Sequence, residues 1–190
     1  MPNYQALLEK EAERRQWTPE ETSVFEQWRN SVGEIESNNI PSRVQGDNPK
    51  GYGRGKYQYE VARGKGSGTN KTALNRLKKF LKRYESDLSM LPKADQRELK
   101  KDDPDFARLT EDTQDLLFLA DKSEAPESNL NALVQGKIPL DDAWIQWHWK
   151  GNPKEVPVKK QMWQNNIATE EEVSRGELLG MDSYLRGLFD

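Results

Sequence analysis

The sequence contains no cysteine, so neither a disulfide framework nor a thiolate metal site is open to it. Histidine occurs once, at His148. A zinc enzyme would have to draw most of its ligands from carboxylates, which is uncommon, and neither a metal nor a cofactor is expected. Long apolar runs are missing too. The longest compact one, Leu116 to Ala120, falls far short of the roughly 20 residues that span a bilayer, so no membrane span is expected. The opening stretch MPNYQALLEKEAERRQW is charged throughout and has no apolar centre. It does not resemble a secretion signal, and the product is expected to be soluble and made in the cytoplasm. No strand pattern of any length and no internal repeat is present.

With 190 residues, the chain suits one domain with short terminal additions and is long enough to bury a core. Its net charge is only −3, but the charge is unevenly spread. Between Arg43 and Arg83, twelve Lys or Arg face only Asp47 and Glu60, a net of +10. Between Glu85 and Glu127, thirteen acids face six bases, a net of −7. One reading of the basic segment is a polyanionic ligand, either nucleic acid or another acidic polymer. The other is a helix face paired with the acidic segment that follows. Only three tyrosines (Tyr52, Tyr57, Tyr59) interleave the bases before the helix, and no recognised nucleic-acid motif is present. No nucleic-acid partner is therefore expected.

Helix signals are plain. Thr18, Pro19 and Glu21 form a helix start with a capping box. Behind it Val24, Phe25, Trp28, Val32 and Ile35 recur at helical spacing, which predicts a buried face. That helix should reach Glu36 and stop by Pro41, with Asn38 and Asn39 at its end. Seven of the thirteen glycines lie between Gln45 and Gly68, a region of loops with a short hairpin. A helix is predicted over Thr69–Leu91 with Leu74, Leu77, Leu81 and Tyr84 on one face. Another opens at Thr110, and two short ones are split at Gly136 to Pro139. A last helix is predicted from Thr169, where Leu178, Met181, Leu185 and Leu188 form an apolar stripe.

Three pieces stand out: a helix ending in ESN, a loop ending in GRGKYQY, and the Trp-rich DDAWIQWHWKG. Each alone is weak, but together they suit a glycan cleft. A carboxylic acid that protonates a glycosidic oxygen must stay protonated near neutral pH, and burial against apolar side chains favours that form. Glycines let a sugar approach the backbone. Aromatic faces support pyranose rings, and Trp144, Trp147, Trp149 and Trp163 lie within twenty residues.

IESNN, then GYGRGKYQYEVA, then TQDLLF and AWIQWHWKG, resemble the lysozyme-like superfamily. Within it the sequence is most similar to the lytic transglycosylases, including phage endolysins and virion-associated wall-degrading enzymes. The resemblance covers about residues 24 to 152. It implies a mainly α, α+β lysozyme-like fold: a helical lobe with a small irregular or hairpin lobe inserted after the catalytic helix. Residues 18–152 would form the catalytic domain, 1–17 an N-terminal helical extension, and 153–190 a C-terminal linker and amphipathic helix.

By the same resemblance Glu36 is the catalytic acid, followed by Ser37. Gly55, Tyr57 and Gln58 form a glycine–glutamine turn lining the cleft. Trp147, Trp149 and Gly151 stand where a late aromatic motif should be, although HWKG departs from the family's Tyr-Asn-Ala-Gly. The implied reaction cuts the MurNAc–GlcNAc bond of peptidoglycan with a 1,6-anhydro product. The implied partners are glycan strands and, through the C-terminal helix, virion proteins. The implied place of action is the cell wall, reached without a signal peptide.

Alternatives stay open. A muramidase hydrolase would use a second carboxylate, and Asp47 is the one acid between Ser37 and Tyr59. A structural virion protein would keep the fold with weak or no activity. Glu34 competes with Glu36 but points to another face. Trp144 and the lone His148 suit structural roles. Lys50, Arg54 and Lys56, beside the turn, are expected to attract wall anions.

Overall fold

The computed structural model describes residues 4–44, 53–61, 68–149 and 153–165. Among them the fold is mainly helical, with eight helices and one two-strand antiparallel hairpin. The chain divides into two compact units, Met1–Lys150 and Gly151–Asp190.

In the first unit, α1 (Tyr4–Arg15) buries Tyr4, Leu7, Leu8 and Ala12. Rather than standing apart as an extension, α1 contributes to the core of this unit, and the Tyr4 amide donates to the Asp112 carboxylate at 3.2 Å. Helix α2 (Pro19–Ser37) starts as its sequence predicts. Glu21 N–H donates to Thr18 Oγ1 at 3.2 Å, and Thr18 N–H donates to Glu21 Oε2 at 2.9 Å, a reciprocal capping box. Phe25, Trp28 and Val32 on its inner face are fully buried.

The hairpin joins β1 (Gly53–Arg54) to β2 (Tyr59–Glu60), pairing Gly53 with Glu60 and Arg54 with Tyr59. Val44 adds an isolated bridge to Arg54. Helix α3 (Thr69–Arg83) is shorter than its sequence predicts. A separate 3₁₀ turn follows at Leu88–Met90, where Asp87 Oδ1 accepts from Ser89 N–H at 2.7 Å. Such local side-chain bonds offer the backbone an alternative to helix.

After α4 (Lys93–Leu99) comes α5 (Glu111–Glu124), the central element. Every residue from Thr113 to Lys122 is buried. Phe118 is its aromatic hub, with ring centroids 4.4 Å from Tyr57, 5.2 Å from Trp28 and 6.5 Å from Phe25. Helix α3 packs along α5. Arg76 pairs with Asp121 at 2.6 Å, Lys79 with Glu124 at 2.7 Å, and Arg83 also with Glu124. The helical part of the basic segment is thus paired with the acidic one. Helices α6 (Leu130–Val134) and α7 (Leu140–Trp144) are the two short predicted helices, and α7 runs into a π-helical turn at Ile145–Trp149.

The second unit contains a 3₁₀ turn at Pro153–Glu155 and helix α8 over 156–165, where the sequence reading expects a linker. Helix α8 exposes Val158 and Met162. The predicted helix from Thr169 and its stripe lie outside the described residues, as do Asp47, Lys50 and Gly151.

Candidate active site

Glu36 occupies the last turn of α2. The helix stops there because Asn38 and Asn39 adopt left-handed backbone angles, φ 54° and 53°, which Asn tolerates better than most residues. Ser37 is buried and tied to its own helix end. Its hydroxyl donates to Gly33 O at 3.1 Å and accepts from Ile40 N–H at 3.2 Å. Glu34 is engaged by Asn39, whose Nδ2 donates to its Oε2 at 2.8 Å. Glu36 is half-buried, and the indole N–H of Trp144 donates to its Oε1 at 2.9 Å. Trp144 itself is only 1% exposed. The third sequence piece therefore reaches the first directly, and a rigid core residue fixes the carboxyl.

The hairpin turn supplies the second piece. Gly55 has φ +76°, and a Cβ added there would lie 2.4 Å from Gln114 Oε1. Glycine is thus required twice, by backbone angle and by close approach. Gln58 also lies at positive φ, 49°. Its Nε2 donates to Gly55 O at 2.7 Å, which closes the turn from the side-chain end. Gln58 remains partly exposed. Tyr57 does not line a surface: it is 1% exposed and stacked on Phe118. Its hydroxyl donates to Asp115 Oδ1 at 2.6 Å and accepts from Arg29 Nη1 at 3.2 Å. Burial, with the Asp115 charge beside it, pushes the Tyr57 phenol well above its ordinary value.

Lys56 differs from expectation. Its ammonium is buried and pairs with Glu111 at 2.8 Å and Asp115 at 3.2 Å, so it does not reach out to anions. Arg54 lies 3.8 Å from Asp105. Trp147 is buried edge-on against Trp28 at 5.8 Å, and its carbonyl accepts from the buried Lys122 ammonium at 2.8 Å. His148 Nε2 lies 2.9 Å from the Tyr57 carbonyl, which can only accept, so this nitrogen carries the proton. His148 thereby ties the π-helical turn to the hairpin turn. Trp149 is half-buried, and Trp163 belongs to the second unit.

The fold thus gathers the end of α2, the hairpin turn and the Trp-rich segment. Among the predicted site residues, Glu36, Gln58 and Trp149 keep access to solvent. Ser37, Gly55, Tyr57 and Trp147 are buried. Ile40 and Val44 are exposed on the loop after α2. Arg29, Gln114 and Asp115 were not singled out from the sequence, although Gln114 and Asp115 lie within the TQDLLF stretch. A surface pocket of ≈ 500 Å³ lies elsewhere, lined by Lys78, Lys82, Leu88, Gln96 and Lys100 among others, and includes none of the predicted site residues.

No family model, curated protein or solved structure matches the chain. Among the described residues no cluster of His, Asp or Glu could hold a metal ion, and no helix is long and apolar enough to cross a membrane.

Proposed function

We propose that the chain is a peptidoglycan-cleaving lytic transglycosylase with Glu36 as its general acid and base. The observation that carries this reading is the Glu36 carboxyl, half-buried at a helix end and held at 2.9 Å by the indole of a buried tryptophan. A carboxyl held in one orientation, on a helix whose Gly33 packs against the glycine-containing turn, suits proton transfer to a glycosidic oxygen. In the proposed step, protonated Glu36 gives its proton to the bridging oxygen and the C1–O bond of MurNAc breaks. The 6-hydroxyl of the same sugar then attacks C1, and the Glu36 carboxylate takes the hydroxyl proton. The product is a 1,6-anhydromuramyl end, and no second carboxylate is needed. A muramidase would need one, and its candidate, Asp47, lies outside the described residues.

A second reading, a lysozyme-fold virion protein with weak or no activity, has its own support. Ser37, Tyr57 and Trp147 are each buried and internally bonded, so their presence is explained by folding without a substrate. One experiment separates the readings. Glu36→Gln keeps the shape of the side chain and removes the acid. Clearing of purified walls is expected to fall by about 10²–10⁴-fold, the usual worth of general acid–base catalysis, with an unchanged circular dichroism spectrum. Undiminished clearing by the variant would remove Glu36 from the reaction, and a parent protein that clears no wall would favour the virion reading. Mass spectrometry of the digest then separates anhydro ends from reducing ends, which differ by one water.

A further inference from the structure

We infer that Gln114 and Asp115 are positioning residues of this site: from one face of α5 they seat the Gly55–Gln58 turn in register with Glu36. The inference rests on the activity proposed above and assigns the groups that hold its geometry. The Gln114 amide bonds three backbone segments. Its Oε1 accepts from Lys56 N–H at 2.7 Å, and its Nε2 donates to Pro41 O and Leu109 O, both at 3.0 Å. Pro41 belongs to the loop that leaves the Glu36 helix, and Lys56 to the turn. One buried side chain therefore joins the loop that leaves the Glu36 helix to the turn. The same oxygen lies 2.4 Å from where a Gly55 Cβ would be, so Gln114 in this place requires a glycine in the turn.

Asp115 completes the seat. Its carboxylate accepts from the Tyr57 hydroxyl at 2.6 Å and pairs with Arg29 at 2.6 Å and with Lys56 at 3.2 Å. Arg29, Gly33 and Glu36 follow one another on α2 at i, i+4 and i+7, one stripe of the helix. Arg29 holds the Tyr57 hydroxyl, and Gly33 leaves room for the Lys56 stem, whose Cε would lie 3.0 Å from an added Cβ. Glu111, Asp115 and Phe118 form the facing stripe on α5. The turn is gripped between the two stripes, and the far end of the α2 stripe is the proposed catalytic carboxyl. Loss of the grip shifts the turn relative to the acid, and a misplacement of about 1 Å can lower a rate by about 10²-fold.

The test compares Gln114→Met, which keeps the length of the side chain and removes its hydrogen bonds, with Glu36→Gln and the parent. In Gln114→Met, amide exchange at Lys56 is expected to quicken by about tenfold, the worth of one hydrogen bond, whereas in Glu36→Gln it stays as in the parent. The kcat for wall cleavage is expected to fall by up to about 10²-fold, with the half-saturating wall concentration changed far less. A folded Gln114→Met with parental Lys56 exchange or parental kcat overturns the inference. If that variant does not fold, Asp115→Asn, which weakens the hold on the Tyr57 hydroxyl and the Lys56 ammonium, is read by amide exchange across the Gly55–Gln58 turn and by kcat, with the same outcomes decisive. If the parent itself cleaves no wall, the proposed activity falls, and exchange at Lys56 alone decides whether Gln114 seats the turn.

Discussion

Glu11 has no exposed side-chain surface, yet it is surrounded by cations: Arg14 and Arg15 at 2.6 Å, Arg83 at 3.7 Å, with the Tyr84 hydroxyl donating to Oε2. It ties α1 to α3 through charge rather than through apolar contact. Burial pushes its carboxyl up, but hydrogen bonds from Arg14 and Tyr84, with Arg15 beside them, outweigh burial and hold it at about 2 against an ordinary 4.5. A carboxyl whose folded pKa lies below its unfolded one stabilises the fold above the unfolded value. That contribution is lost as pH falls from about 4.5 towards 2. Glu11→Gln leaves the arginines without their buried anion and is expected to lower stability by about 3 kcal/mol at neutral pH. Denaturant titrations of parent and variant between neutral pH and pH 2 check this. The gap should narrow across the acid window, and a constant gap would assign the effect to packing.

At the scale of elements, α2 positions Glu36, and its start is set by its own sequence. Thr18→Ala removes one arm of the capping box and should cost about 1 kcal/mol. That corresponds to a fall in Tm of roughly 2–4 °C for a chain of this size. The proposed wall-clearing activity per folded molecule should be unchanged, because the last turn of α2 is held independently by Ser37, Trp144 and the Asn38–Asn39 stop. A loss of activity without loss of stability would show that the helix start reaches the site. The pairing of α3 with α5 has a different lesson. The net of +10 between Arg43 and Arg83 invites a polyanion, but Lys56, Arg76, Lys79 and Arg83 find carboxylates within the fold. Charge counted along a chain overstates charge offered to a ligand.

At the scale of the whole molecule, the core residues that carry the candidate site, from Leu7 to Trp147, all lie in the first compact unit. A chain ending at Lys150 is expected to fold with one cooperative thermal transition and to retain the wall-clearing rate of the parent. Calorimetry and turbidity assays on the truncated chain check both. An unfolded product would show that residues 151–190 supply stability that the first unit lacks. A folded but inactive product would place part of the substrate site in those residues.

Much of this arrangement was determined locally and could be read before any coordinate. Thr18, Pro19 and Glu21 start α2, and the spacing of Phe25, Trp28 and Val32 marks its buried face. Asn38 and Asn39 stop it just after Glu36, because caps and periodicity act within one or two turns of chain. The need for a glycine at the turn was legible too, though not the reason, since the atom that demands it belongs to Gln114, 59 positions away. Tertiary structure alone decided which motif residues meet solvent. Tyr57 and Trp147 have the composition of a sugar platform, yet Phe118 and Trp28 cover them. Lys56 has the composition of an exposed cation, yet Glu111 and Asp115 draw it inward. Trp144 became the partner of Glu36 only when α7 was brought against the end of α2. A residue's type sets what it can do, whereas burial and hydrogen-bond partners come from segments distant in sequence, and these select among its roles.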